Sequence, residues 1–133
     1  MKNELARQAL AGKQRAHNAY APLSHEIGRE ILPKLVAQDK KNRDAIVLYV
    51  YLLSHVNGQP DSDRYMSAWP TLETIAKETG IDRNRISKLA GLLEQNGLIR
   101  SVYEYNRNKR EKLYYPMYAP LQTEESHNVL DWL

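Results

Sequence analysis

The stretch TIAKETGIDRNRISKL, residues 74–89, constrains the fold more than any other part of the chain. Ala76 stands four positions before Gly80, and Asp82 precedes a segment whose apolar residues return at helical spacing. A small side chain lets two helices cross closely, and glycine tolerates the left-handed backbone of a tight turn. Asp82 is a good N-cap for the following segment. The stretch therefore predicts two short helices joined by a tight turn.

Residues outside this stretch predict where the two helices begin and end. Thr71 caps the first helix, which runs to about Thr79. The second starts after Asp82 and runs to about Gln95. Asn96-Gly97 ends it, because glycine favours the left-handed position that follows many helices.

The flanking segments predict the remaining elements of one domain. Residues 45–56, AIVLYVYLLSHV, are apolar almost all round, which favours a buried helix, with a strand as the alternative. Residues 64–69 form a candidate short strand. Two β-prone runs flank NRNK, residues 106–109, and predict a hairpin. This order, helix, strand, helix, turn, helix and hairpin, is that of a winged helix-turn-helix domain over residues 41–118. The fold class is mainly α with a small β-hairpin wing (α+β).

Two segments extend beyond this domain. Residues 1–40 form an N-terminal helical extension, with one helix within 1–20 and another over 24–38, and are the candidate dimer contact. Pro33 is expected to kink or end the second helix. Residues 119–133 are an acidic C-terminal tail, either disordered or docked through its apolar residues Val129, Leu130, Trp132 and Leu133.

Charge is distributed in blocks along the chain. Residues 1–43 have nine Lys or Arg against four Asp or Glu, and residues 81–112 have eight against four. Residues 44–80 have two against five, and residues 113–133 have none against three. Such asymmetry is typical of a protein with a polyanionic partner, although a solvated surface also fits.

The second helix has an outward face whose side chains suit contact with a DNA duplex. The candidate major-groove residues on or beside this face are Arg83, Asn84, Arg85, Ser87 and Lys88. Arginine pairs with guanine and asparagine with adenine in bidentate fashion. Gly91, also outward, removes bulk and would allow close approach to a phosphate strand. A plain helical pair with a solvated face is the alternative, but such a face usually mixes acids and bases.

The hairpin and the start of the first helix supply candidate backbone contacts. These residues are Thr71, Arg107, Lys109, Arg110 and Lys112. Charge without base reading is sufficient for gripping phosphates.

The segment PTLETIAKETGIDRNRISKLAGLLEQNGLI resembles the helix-turn-helix core of bacterial winged-helix proteins. Pro70-Thr71, Ile75-Ala76 with Gly80, and Leu93 with Gly97-Leu98-Ile99 match that pattern. With LYVYLLSHVNG before it, the chain is most similar to the N-terminal domains of plasmid and phage replication-initiator and replisome-organiser proteins. The resemblance implies DNA binding. Asp82 departs from the family's usual Ser or Thr, so we assign it to capping rather than DNA contact.

Other functional classes have little support in the sequence. There is no cysteine, no phosphate-binding glycine loop and no His-x-x-x-His pair, so we expect no catalytic residues, metal or cofactor. The absence of an apolar run of about 20 residues predicts a soluble, cytoplasmic protein without a membrane partner. No small-molecule ligand is evident. We expect a sequence-specific double-stranded DNA-binding protein that acts as a homodimer. It would be a plasmid or phage replication or segregation factor, or a transcription regulator. A protein-interaction module on the same scaffold is the alternative.

Overall fold

The structure, a computed structural model, describes residues 1–15 and 22–121. Its helices are α1 (Lys2–Arg15), α2 (Leu32–Gln38), α3 (Arg43–Leu53), α4 (Leu72–Thr79) and α5 (Arg83–Gln95). The strands β1 (Ile99–Asn106) and β2 (Lys109–Pro116) form one antiparallel hairpin. This architecture is the predicted α+β winged helix-turn-helix. The end of the helix predicted within 1–20 and the apolar residues of the predicted tail lie outside the described residues.

The buried core lies between α3, α4, α5 and the base of the hairpin. α3 contributes Ala45, Leu48 and Leu52, which recur at helical spacing and are fully buried. α5 packs against both α3 and α4 through its inner face. The helix predicted over residues 45–56 is therefore confirmed, although α3 begins two residues earlier and ends at Leu53.

The segment before α3 shares this core. Ile27, Ile31 and Leu35 are buried members of the same cluster. The buried Asn42 side chain donates from Nδ2 to the Leu35 carbonyl at 3.1 Å, which ties α2 to the start of α3.

Pro33 is accommodated by a change of helix type. A π-helical turn covers Ile27–Ile31, where the Leu32 N–H donates to the Ile27 carbonyl, and α2 follows directly with Pro33 in its first turn. Proline has no N–H, and its ring crowds the carbonyl four residues earlier. The wider π turn relieves that conflict. Pro33 thus changes the helix locally and does not end it.

Residues 64–69 do not form the predicted short strand. Arg64 to Met66 form a turn, in which Met66 has φ of 68°. Ala68 alone pairs with Tyr114, through N–H···O bonds of 2.9 and 2.8 Å in the two directions. The strand prediction was wrong because the left-handed Met66 interrupts the extended backbone.

The wing hairpin is longer than predicted. Asn106 pairs with Lys109, so Arg107 and Asn108 alone form the turn, with φ of 52° and 66°. Positive φ at both central residues belongs to the type I′ turn, which matches the twist of a two-residue hairpin. The observed turn is therefore two residues shorter than the predicted loop 106–109.

No helix among residues 1–15 and 22–121 is long and apolar enough to cross a membrane.

Candidate nucleic-acid interface

The turn between α4 and α5 has the predicted local geometry. Thr71 Oγ1 accepts a hydrogen bond from the Thr74 N–H at 3.1 Å and caps α4. Gly80 adopts φ of 75°, and Asp82 Oδ1 accepts from the Asn84 N–H at 2.9 Å and caps α5. Asp82 is thus occupied as a cap, as the sequence predicts. These contacts fix the direction in which α5 leaves the turn.

The amino-terminal half of α5 has a polar outer side. Ile86 and Leu89 are buried, whereas Asn84, Ser87 and Lys88 are exposed. Because the buried and exposed residues alternate at helical spacing, the exposed ones lie on one side of the helix. This side is open to a ligand.

The two arginines of this half helix each meet a carboxylate. Arg83 Nη2 lies 2.9 Å from Glu73 Oε1, but both side chains are more than half exposed. An exposed pair of this kind contributes little to stability and is screened by salt. Arg83 is therefore available to exchange Glu73 for another anion.

Arg85 is held more firmly. Its Nη1 donates to Asp44 Oδ2 at 2.7 Å and its Nη2 donates to the Lys41 carbonyl at 2.9 Å. Only about a third of each side chain of the Arg85–Asp44 pair is exposed. These bonds join α5 to the start of α3, a role that the sequence reading missed because the partners are 41 and 44 positions away.

The wing presents its cations around an aromatic ring. The guanidinium carbon of Arg110 lies 3.6 Å from the centre of the Tyr103 ring. Lys112 Nζ lies 5.9 Å from the same ring and 5.0 Å from that of Tyr114. Cation–π contacts hold charged groups in place without neutralising them. Arg107 and Lys109 are exposed at the tip.

A cleft of about 270 Å³ lies where α4, α5 and the wing meet. Five predicted site residues line it: Thr71, Ser87, Lys109, Arg110 and Lys112. Burial, with a smaller charge effect from Tyr103, raises the pKa of Tyr114 in its wall to about 12. The cleft therefore brings together Ser87 of α5, Thr71 and three predicted wing residues. The other predicted residues do not line it: Arg83, Asn84, Arg85, Lys88 and Arg107.

Arg64 binds two glutamates of the wing. Its guanidinium donates to Glu104 Oε1 at 3.1 to 3.2 Å and to Glu111 Oε1 at 2.9 Å, and it lies 4.8 Å from the Trp69 ring centre. Glu104 and Glu111 stand directly opposite each other in the hairpin, where two like charges repel. Arg64 offsets that repulsion from a side chain that is 13% exposed.

The Arg64 hydrogen bond also sets the charge state of Glu111. It is the largest cause that holds the pKa of Glu111 below its usual range, with smaller effects from Asn106 and Lys109. The same bond raises the pKa of Arg64 further above its already high value. One feature of the sequence could have indicated this cluster. When the turn is placed at Arg107-Asn108, Glu104 and Glu111 face each other and need a cation between them.

The residues that the structure describes contain no group of three or more His, Asp or Glu side chains placed to hold a metal ion.

Residues 41–99 match the family model described as a helix-turn-helix domain. The match begins just before α3 and ends as β1 begins, so it covers α3, α4 and α5. This match supports a relationship of the segment to helix-turn-helix DNA-binding proteins and suggests DNA as the partner. Neither the comparison with curated proteins nor that with solved structures gave a match.

Proposed function

We propose that the protein binds double-stranded DNA sequence-specifically, with α5 in the major groove and the wing on the backbone. The observation that carries this proposal is the cleft lined jointly by Thr71, Ser87 and three wing cations. A duplex is a ligand large enough to engage α5 and the wing tip together.

In this proposal the two parts of the surface have different tasks. Arg83, Asn84, Ser87 and Lys88 are exposed on α5 and would read base edges. Hydrogen bonds to base edges in the major groove distinguish all four base pairs. Thr71, Arg107, Lys109, Arg110 and Lys112 would contact the phosphate backbone, which fixes register and orientation.

Arg85 would either read a base or position α5, and two single-residue variants distinguish these roles. Either it leaves Asp44 to read a base, or it positions α5 by staying bonded to Asp44. We favour positioning, because the guanidinium already has two hydrogen-bonded partners. Asp44→Ala and Arg85→Ala should then weaken specific binding alike. If Arg85 reads a base, Asp44→Ala leaves specific binding intact or strengthens it.

The module is small, so we propose that it works as a homodimer on two half-sites. A dimer doubles the footprint, and its symmetry fixes the half-site spacing. A plasmid or phage replication or segregation factor and a transcription regulator both fit such a binder. We propose no catalytic step.

The direct test is selection of bound duplexes from a random pool, followed by affinity measurements at several salt concentrations. We expect a consensus sequence, with half-sites at a fixed spacing. Affinity should fall steeply with salt, because bound phosphates release counterions. No duplex affinity at low salt would refute the proposal and favour a protein-interaction module.

Single substitutions distinguish the two tasks. Arg83→Ala or Lys88→Ala should cost about 1–3 kcal/mol on the consensus duplex and much less on random duplex. Arg107→Ala should weaken both duplexes alike and lower the salt slope by about one. Equal losses on both duplexes for all three variants would show that α5 is not the reading helix.

A further inference from the structure

An exposed apolar surface lies on α3 and the segment before it, formed by residues other than those proposed to contact DNA. One hollow is lined by Leu32, Ile46, Val47 and Val50, and a second by Leu23, Ile27 and Ile46. Ile46 lines both hollows, so they lie next to each other. Val47 is 45% exposed and Val50 47%, although both follow the helical spacing of an apolar face. We call the two hollows together the α3 surface.

The charge around the α3 surface is cationic. Its charged lining residues are Arg29 and Arg43, with His25 and Ser24 as the other polar side chains. A segment that covers it should therefore combine apolar side chains with negative charge. The helix α1 does not fit, since Lys2–Arg15 contains four Lys or Arg and one Glu. A second copy placed face to face would bring like charges together.

Residues 122–133, QTEESHNVLDWL, have the required composition. Their apolar residues are Val129, Leu130, Trp132 and Leu133, and their charged residues are Glu124, Glu125 and Asp131.

The point at which this segment leaves the domain is also suitable. The Leu121 N–H donates to the Gly97 carbonyl at 2.9 Å, and Leu121 lines a hollow with Ile31 and Lys34, which flank the surface residue Leu32. Twelve residues span up to about 40 Å when extended. A domain of about 100 residues has a radius of gyration of about 13 Å. The whole α3 surface is thus within reach.

Charge at the exit favours departure from it. Glu26, Glu30 and Glu94 line the hollow in which Leu121 lies, together with Lys34 and Arg100. Three carboxylates against two cations leave that hollow with an excess of negative charge, whereas the α3 surface is lined by Arg29 and Arg43 and by no carboxylate.

We infer that residues 122–133 of the same chain cover the α3 surface, with the apolar residues in the two hollows and the acidic residues toward Arg29 and Arg43. This contact does not depend on the proposed DNA binding. It would cover apolar side chains that α3 otherwise presents to water.

Tryptophan fluorescence tests the inference directly. The chain has two tryptophans, Trp69 and Trp132, so Trp69→Phe leaves Trp132 as the single reporter. Docking should shift its emission to shorter wavelength and protect it from acrylamide, compared with the same protein in denaturant. If Trp69→Phe does not fold, the difference between the wild-type and Trp132→Phe spectra reports the same residue.

Matched surface variants locate the binding site. In the reporter background, Val47→Ser with Val50→Ser should return the Trp132 emission to that of an exposed tryptophan. Leu5→Ser with Leu10→Ser removes two comparably exposed leucines from α1 and should change nothing. Circular dichroism checks that each variant is folded. A solvent-exposed Trp132 in the reporter protein overturns the inference, as does exposure by the α1 variant alone. A blue shift that disappears on dilution overturns it too, because it assigns the contact to a second copy.

Discussion

Gly91 offers a substitution with opposite expected effects on stability and on DNA binding. It lies in the interior of α5, and a Cβ built there has no neighbouring heavy atom within 4 Å. Glycine inside a helix costs about 0.5–1 kcal/mol relative to alanine, because the unfolded chain has more conformational freedom. Since the site is open, Gly91→Ala should raise the free energy of unfolding by about that amount. The melting temperature should rise by a few degrees.

The matched control is Gly80→Ala. Its Cβ would also meet nothing within 4 Å, but Gly80 has φ of 75°. An L-residue in that left-handed conformation costs about 1–2 kcal/mol. Neither variant removes a hydrogen-bonding group, and both add the same methyl group. They should nevertheless shift stability in opposite directions, which urea unfolding followed by circular dichroism measures.

Duplex affinity supplies the second measurement on Gly91→Ala. If the missing side chain allows a phosphate strand to approach α5, the added methyl group should weaken duplex binding although the protein is more stable. A lower free energy of unfolding for Gly91→Ala would refute the structural reasoning. Higher stability with unchanged duplex affinity would refute the role in close approach and leave the fold argument intact.

Three further substitutions test local geometry. Gly97→Ala should destabilise more than Gly80→Ala in the same urea assay, because Gly97 has φ of 73° and its Cβ would lie 2.8 Å from the backbone N and O of Leu121; equal losses would contradict the clash. Arg107→Gly should raise stability by about 0.5–1 kcal/mol, since glycine suits φ of 52°, while duplex binding weakens through the lost charge; a destabilised hairpin would contradict the turn assignment. The pKa of Glu111 is depressed by the Arg64 hydrogen bond, so its contribution to stability is present above the unfolded value of about 4.3 and is lost as pH falls through the folded pKa. Glu111→Gln should therefore flatten the acid side of the stability–pH curve, and an unchanged curve would show that Arg64 does not stabilise the carboxylate.

The parts of the fold that the sequence predicted well are those with local causes. Gly80 and Gly97 adopt the expected left-handed conformation, and the Leu98 N–H donates to the Leu93 carbonyl at 2.9 Å. That bond, with the Gly97 N–H on the Glu94 carbonyl, is the expected ending of α5. Glycine and cap preferences act within a few residues, so they can be read without knowledge of the tertiary structure.

Features that depend on distant residues were predicted wrongly or were not predicted. The effect of Pro33 depends on a π turn whose residues Ile27 and Ile31 pack into the core. The strand predicted over 64–69 is replaced by a turn, from which Arg64 reaches both glutamates of the wing. Neither arrangement is encoded in a local pattern, because both result from packing between segments far apart in sequence.

The candidate DNA surface shows the same limit at the level of single side chains. Periodicity and charge place Arg85 and Lys88 close together on α5, and treat them as equivalent cations. The structure separates them, because Asp44 neutralises Arg85 while Lys88 is exposed. A cation bonded to a carboxylate adds little to the potential that a duplex meets, and moving it to a base breaks two existing hydrogen bonds. Base reading by α5 should therefore depend on Asn84, Ser87 and Lys88, and on Arg83, whose exposed partner Glu73 is readily exchanged.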